Sequence, residues 1–371
     1  MIIGEPIFSK STRVLHTNQH NIEEVCRFAG EVIRRGGLVA FPTETVYGLG
    51  ADALNQQAVK NIFSAKERPA DNPLIVHVSS TAEVKRVAKN IPEIAQVLMD
   101  AFWPGPLTLV LPGKNIVPDV TTGGLDTVAV RMPDHSLALG LIREAGVPIA
   151  APSANTSGKP SPTTAQHVMD DLGGRIDMII DGGRVAIGVE STVIDVTRNI
   201  PALLRPGGVG IEALQEIVGR IQVSTPKDVS VPRSPGVKYA HYSPEATVVL
   251  VTGDDVAGAI KKLAEEYEGK IGLLLCKETA ETVGELARKI ILGSRSDVES
   301  IARNLFYSLR LFDKQHVELI IADGSFSVEG VGLAVMNRLK KASSKLIHTR
   351  RRDSPSLPQS IYYINSNCGS D

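Results

Sequence analysis

The sequence predicts a mixed α/β protein in two parts. Three observations carry this. Short apolar runs recur as far as about Gly219, each ending in a cluster of polar residues, Gly and Pro. A Pro-rich, aperiodic stretch follows between Ser224 and Pro244. Beyond it, strand and helix patterns alternate strictly as far as Ala342.

Asn21 is placed to cap a helix over Glu23–Arg35, with Val25, Phe28, Ala29 and Val32 on its apolar face. Gly36–Gly37 stops it, and Leu38–Phe41 reads as a buried strand. That strand opens P-T-E-T-V-Y-G-L-G, Pro42 to Gly50, with Thr43, Glu44, Thr45 and Tyr47 just past the strand end. Ligands of open α/β sheets collect at such carboxyl ends. Gly48 and Gly50 are expected to let backbone approach a bound group closely. A helix near Gln56–Ala65 then delivers Lys66, Glu67 and Arg68 into the turn R-P-A-D-N-P-L, and the strand Leu74–Val78 carries His77.

Further strands are read at Leu107–Leu111, at Val128–Arg131 (ending in V-R-M-P) and at Val147–Ala151. The last of these empties into P-S-A-N-T-S-G-K-P-S-P-T, Pro152 to Thr163. Met178–Ile180, V-E-S-T-V-I-D-V and L-L-R-P-G-G follow, then a helix from Ile211. In the second part, strands at Thr247–Val251, Ile271–Leu275, Lys289–Leu292 and Glu318–Ala322 alternate with helices, which predicts a small doubly wound, flavodoxin-like or Rossmann-like domain. T-G-D-D at Thr252 is no dinucleotide fingerprint. Lys340, Lys341, Lys345 and Arg350–Arg352 form a basic run that reads as a solvated surface.

Composition narrows the function classes. A charged fraction of 22% and a formal net charge of −1 give no global pull toward nucleic acid or membrane. Three cysteines, widely spaced and without C-x-x-C, argue against a disulfide framework or a structural zinc site and suit a cytoplasmic location. No apolar stretch is long enough to span a membrane.

Four cations beside Pro or Gly turns, Lys66, Arg68, Arg131 and Arg205, are what an anion with several phosphates requires. The hydroxyls of Thr43, Thr45, Ser153, Ser161 and Ser191 accompany them. The Pro152–Thr163 loop can offer backbone N–H groups to phosphate, although a Walker P-loop is absent. From the residues alone this is an α/β binder of a phosphate-bearing ligand.

Taken together and in order, P-T-E-T-V-Y-G-L-G, K-E-R-P-A-D-N-P-L-I-V-H, F-W-P-G-P-L-T-L-V-L, V-A-V-R-M-P, P-I-A-A-P-S-A-N-T-S-G, G-V-E-S-T-V-I-D and L-R-P-G resemble the YrdC-like family. The linker S-P-G-V-K-Y-A-H-Y-S-P and the domain after it resemble that family's two-domain members, the threonylcarbamoyl-AMP synthases. The resemblance spans about residues 20–345. It implies a twisted, open α/β domain with a large cavity over residues 1–223, a linker or lid over 224–244, a smaller Rossmann-like domain over 245–345 and a tail over 346–371.

The implied activity is nucleotidyl transfer: ATP, L-threonine and bicarbonate become L-threonylcarbamoyladenylate and pyrophosphate. Mg²⁺ would ride on the ATP phosphates with no protein metal site. The product would pass to downstream enzymes that transfer the threonylcarbamoyl group to tRNA, with direct tRNA contact left open. The resemblance assigns Thr45, His77, Arg131, Ala151 and Ser191 to threonine. It assigns Arg68, Asn72, Thr127, Ser153, Ser161, Arg205, His241 and Tyr242 to the nucleotide, with Lys66 and Arg68 acting at the phosphates. The rival classes are an RNA-binding module with a basic concave surface, whose binding would weaken steeply with salt, and a non-catalytic sensor of amino acid or nucleotide.

Overall fold

The computed structural model describes residues 11–17, 21–223, 242–350 and 362–364. His241 and most of the linker lie outside the described residues. The chain forms two compact units, Met1–Ser157 with Ser161–Tyr239, and Gly158–Pro160 with Ala240–Asp371.

The first unit is built on an eleven-stranded mixed sheet. Its strands in chain order are β1 (Arg13–His16), β2 (Val39–Phe41), β3 (Gly48–Asp52), β4 (Ile75–His77), β5 (Leu107–Pro112) and β6 (Thr127–Arg131). They continue with β7 (Ile149–Ala150), β8 (Met178–Asp181), β9 (Thr192–Asp195), β10 (Ala202–Arg205) and β11 (Gln222–Val223). In space the order is β1-β8-β2-β3-β7-β4-β6-β5-β9-β10-β11. Most strands are buried throughout, so they read as short continuous apolar runs rather than alternations.

One core cluster gathers Leu49, Ile62, Leu74, Val76, Leu98, Leu109 and Val130. A second packs the helices Ile22–Arg34 and Ser136–Ala145 against Val39, Phe41, Ile149 and Ile180. Glycines bring those two helices together: a Cβ at Gly30 would sit 2.8 Å from the Ala145 backbone nitrogen. Asn21 precedes the first helix without a side-chain cap bond, unlike Asn55, which accepts from Gln57 and Ala58 at the next helix.

Gly48–Asp52 is a strand, antiparallel to β2, where the sequence pattern suggested a turn. Gly50 is needed by the core rather than by a ligand, because a Cβ there would meet Phe41 and Ile149 at 2.8 Å.

The second unit is a six-stranded sheet ordered β14-β13-β15-β12-β16-β17, from β12 (Thr247–Gly253), β13 (Ile271–Cys276), β14 (Arg288–Gly293), β15 (Leu319–Asp323), β16 (Lys345–Thr349) and β17 (Tyr362–Ile364). All pairs are parallel except β16 with β17. This is the expected doubly wound α/β class, with β15 inserted between β12 and β13. β16 and β17 lie beyond the last helix read from the sequence, because K-L-I-H-T is too short and mixed to announce a strand. Among the described residues no helix is long and apolar enough to cross a membrane.

Candidate functional site

The site sits where five segments of the first unit are laced together by backbone hydrogen bonds. The Thr43–Gly50 segment is held on one side by Ile187 N to Glu44 O and Gly188 N to Thr45 O, at 2.8 and 3.0 Å. On the other side Leu49 N donates to Pro152 O and Ala154 N to Tyr47 O, each at 2.8 Å. Gly105 N donates to Met132 O at 2.8 Å, and Thr192 N to Pro106 O at 2.9 Å, which ties the exits of β6 and the entry of β9 to the F-W-P-G-P turn. The Thr43 hydroxyl pairs with that of Thr45 at 2.8 Å and donates to Val46 O at 2.7 Å, fixing the turn from inside.

Within this frame, buried polar side chains converge. β4 and β6 are parallel neighbours with His77 opposite Arg131. Arg131 donates from Nε to Gly105 O at 3.3 Å, and its Nη2 lies 2.7 Å from Glu44 Oε1. Both side chains of that ion pair are under 10% exposed. The contact is one of charge, misaligned for a hydrogen bond, and neither Glu44 oxygen accepts a hydrogen bond from a described residue. His77 Nδ1 and His135 Nδ1 are also buried without a hydrogen-bond partner among the described residues. Burial, and then the Arg131 charge, pushes the His77 ring down to about 3. Burial lowers His135 too, while Glu44 and Asp134 pull it back. Unmet buried polar atoms are costly and uncommon. Five together, Arg131 Nη2 included, mark a cluster of buried polar groups with hydrogen-bonding capacity to spare.

Ser191 and Arg205 form the adjoining wall. Arg205 donates from Nη2 to Ser191 O at 2.8 Å and to Ser191 Oγ at 3.1 Å, and that hydroxyl meets Thr108 Oγ1 at 2.8 Å. Arg205 thus joins a residue assigned to threonine with one assigned to nucleotide. Gly207 makes the close approach possible, since a Cβ there would fall 2.2 Å from the backbone of Ser191 and Thr192. Ala151 is fixed by its N–H to Ile75 O at 2.9 Å.

Lys66 is 2% exposed, and its ammonium donates to the carbonyls of Ser153, at 2.6 Å, and Asn155. It therefore shapes the Pro152–Ser157 loop from within. Ser153 Oγ lies 2.5 Å from Asn155 Oδ1, and Ser161 Oγ donates to Glu190 Oε1 at 2.6 Å. Arg68 lies over the Phe63 ring, 5.7 Å from its centroid, just past the left-handed Glu67 that ends the helix. Asn72 is fully buried, and the turn that holds it is tied to the segment before β6 by Leu74 N to Thr121 O at 2.9 Å. Thr127 begins β6 and Arg131 ends it, so the two stand ~13 Å apart at a rise of about 3.3 Å per residue.

Tyr242 belongs to the second unit, 5% exposed, stacked on Phe306 at 5.2 Å with the Arg338 guanidinium 5.5 Å from its ring centroid. A cleft of about 340 Å³ in that unit, beside Tyr267, Lys270, Leu286 and Arg288, contains none of the assigned residues.

The sequence did not single out Glu44 as a site residue distinct from its neighbours, nor His135, Glu190 or Thr108. Glu44 lay in plain view in P-T-E-T-V-Y, but its tie to Arg131 spans 87 positions of chain, 131 minus 44, and only the sheet brings them together.

Fold and site define an α/β protein with a cluster of buried charged and polar side chains at its strand ends. A family model described as telomere recombination, of the Sua5, YciO and YrdC proteins, matches residues 31–207, and one described as threonylcarbamoyl-AMP synthase, C-terminal domain, matches residues 209–344. The chain is 50% identical over 348 residues to the threonylcarbamoyl-AMP synthase of Pyrococcus abyssi, covering 90% of this chain and 98% of that one. It is 48% identical over 344 residues to the enzyme of that name from Bacillus subtilis, covering 91% and 96%. The crystal structure of P. abyssi Sua5 complexed with L-threonine matches with a TM-score of 0.85 and 49% identity, over 91% of this chain and 99% of that one. The chain belongs to the threonylcarbamoyl-AMP synthase family.

Proposed function

We propose that this chain condenses L-threonine, bicarbonate and ATP into L-threonylcarbamoyladenylate with release of pyrophosphate, a nucleotidyl transfer that supplies threonylcarbamoyl groups for tRNA modification. The observation that carries this is the buried Arg131–Glu44 pair, flanked by His77, with unmet polar atoms on all three. Its opposite charges complement the carboxylate and ammonium of an amino-acid zwitterion. The relatives named threonylcarbamoyl-AMP synthase support the same reading, as does the P. abyssi structure with threonine.

Arg131 grips the threonine carboxylate, and the hydroxyls of Thr45 and Ser191 address its side chain, with Ala151 and His77 closing the pocket. Ser191 passes the pocket on to Arg205, whose charge faces the nucleotide end. Lys66 holds the Pro152–Ser157 loop so that its N–H groups and Ser153 meet phosphate. Arg68, Asn72, Thr127 and Ser161 complete the nucleotide site of the first unit, and the assignment of His241 and Tyr242 to the nucleotide is carried by the resemblance. Carbamate formation and attack on the α-phosphorus require three reactants held in line, so positioning and charge neutralisation supply most of the rate. The residues offered to the phosphates are cations and hydroxyls, which suits Mg²⁺ arriving as MgATP, bound by phosphate and water. No observation favours the RNA-binding alternative. A cytoplasmic setting and downstream tRNA-modifying partners belong to the same proposal.

The test is pyrophosphate release with each substrate omitted in turn. Release that requires threonine, bicarbonate and ATP together is expected. Release independent of threonine would overturn the reading.

A further inference from the structure

Glu44 has so far been given a charge to offer but no step in the reaction, and its surroundings are unusual. Its residue is 7% exposed, its two carboxylate oxygens accept no hydrogen bond from a described residue, and its ion-pair partner is the guanidinium expected to hold the substrate carboxylate. A buried carboxylate left this bare is expensive. A helper that only oriented Arg131 would be aligned with it in a two-pronged hydrogen bond. The misaligned contact, with one oxygen near Nη2 and the other unengaged, leaves hydrogen-bonding capacity on both ions for a third charged group.

An α-amino acid supplies that group. With its carboxylate on Arg131, its ammonium lies one carbon away on the side of Glu44, which turns two half-satisfied ions into a satisfied set of four. Resting on the threonine pocket proposed above, we infer that Glu44 binds the substrate ammonium and accepts the proton that must leave before the nitrogen can attack. The chemistry requires such an acceptor. The ammonium, R–NH₃⁺, must first lose one proton to give R–NH₂. The nitrogen lone pair then forms the C–N bond to bicarbonate carbon, and R–NH–COO⁻ and water result as a C–O bond breaks. One proton is released per carbamate, and Glu44 takes it from the ammonium and returns it to solvent at the end of the cycle.

The other titratable groups nearby are poorly placed for this. Arg131 is the anion's partner. His77, from β4, is enclosed beside that guanidinium. Glu190, on the segment leading to β9, already accepts from Ser161. His135 and Asp134 follow β6; His135 is partly buried, close enough to feel the Glu44 charge, while Asp134 is exposed.

The test compares the full chain with Glu44→Gln and Glu44→Asp in steady-state pyrophosphate release between pH 6.5 and 9.5, alongside threonine binding by calorimetry. Glu44→Gln should lower kcat about 100-fold near neutral pH, the ordinary yield of a positioned base. Its rate should then climb about tenfold per pH unit as free amine becomes available in solution, closing much of the gap to the parent. Glu44→Asp, which keeps the carboxylate, should retain a parent-like pH profile at reduced rate. A Glu44→Gln deficit of the same factor at every pH, or no deficit, overturns the inference. If Glu44→Gln does not fold, the aspartate variant decides: a profile rising with pH overturns the inference, and a parent-like one supports it. A parent enzyme that binds no threonine or releases no pyrophosphate would instead overturn the proposed function itself.

Discussion

Arg131 is the residue on which the pocket's charge balance turns. Removing it takes the grip from the threonine carboxylate and leaves Glu44 buried without a partner. Arg131→Ala is therefore expected to raise the KM for threonine by a factor equivalent to about 2–5 kcal/mol, with a much smaller effect on that for ATP. Equal effects on both substrates would remove Arg131 from the threonine site. The same variant should lose about 3–5 kcal/mol of stability in urea titrations, the usual result of breaking a buried pair from one side. Arg131→Met combined with Glu44→Gln should recover most of that stability while recovering no threonine binding. His77 gives a separate pH signature. Its ring is held neutral, at about 3, whereas the unfolded chain titrates near 6.5. Between those values the unfolded state binds the extra proton, so stability falls as the pH falls. Urea unfolding should show a loss of roughly 1–2 kcal/mol from pH 6.5 to 5 that is smaller in His77→Gln. Parallel profiles for the two proteins would refute it.

At the scale of elements, the site depends on backbones approaching more closely than side chains allow. The turn after β10 passes within van der Waals reach of the Glu190–Thr192 backbone, and Gly207 has no room for a methyl. Because the atoms it would meet are main chain, they cannot swing aside. Gly207→Ala should push the β10 exit away from β9, spoil the contacts of Arg205 with Ser191, and cost about 3 kcal/mol or more as an overpacked, strained site. Thermal unfolding measures the stability, and calorimetry with ATP measures the nucleotide end. A variant with parent stability would show that the two segments separate freely. The Pro152–Ser157 loop is stabilised in the opposite way, by a buried lysine ammonium that bonds two of its carbonyls. Its hydroxyl-rich sequence alone would leave many loop conformations open.

Across the whole molecule, each unit has its own core. Among the described residues, clusters of buried apolar side chains run from Val25 to Ile221 in the first unit and from Val249 to Ile347 in the second. Tyr242 is the first described residue after position 223, and it is held in the left-handed region, at φ +70°, against Phe306 and Arg338. A non-glycine residue there is strained by ~1–3 kcal/mol and persists only where packing compensates. Tyr242→Ala in the full chain should lower the stability of the second unit by about 3 kcal/mol, as other large-to-small aromatic changes do. Hydrogen exchange should show the loss in helix Val298–Lys314, which carries Phe306, and not in β4 or β6. Loss of protection confined to the first unit would contradict this placement.

Much of this protein was legible in its sequence because the relevant signals are local. Apolar runs bounded by Gly and Pro located most strands of the first unit, and alternation announced the doubly wound second one. The ordered motifs carried the resemblance that points to Arg131, His77, Ser191 and Arg205. Strands such as β1, β11 and β16 escaped, being too short or too mixed to show a period. The packing role of Gly50 also escaped, since a glycine beside a turn reads as ligand-facing until its neighbours are known, and so did the carbonyls that Lys66 bonds. What only the tertiary structure decided is which charges meet. Glu44 and Arg131 lie far apart in sequence and 2.7 Å apart in the fold. Whether a charged side chain is solvated, paired or left wanting a ligand depends on the desolvation that the surrounding sheet imposes, and no local run of residues encodes it.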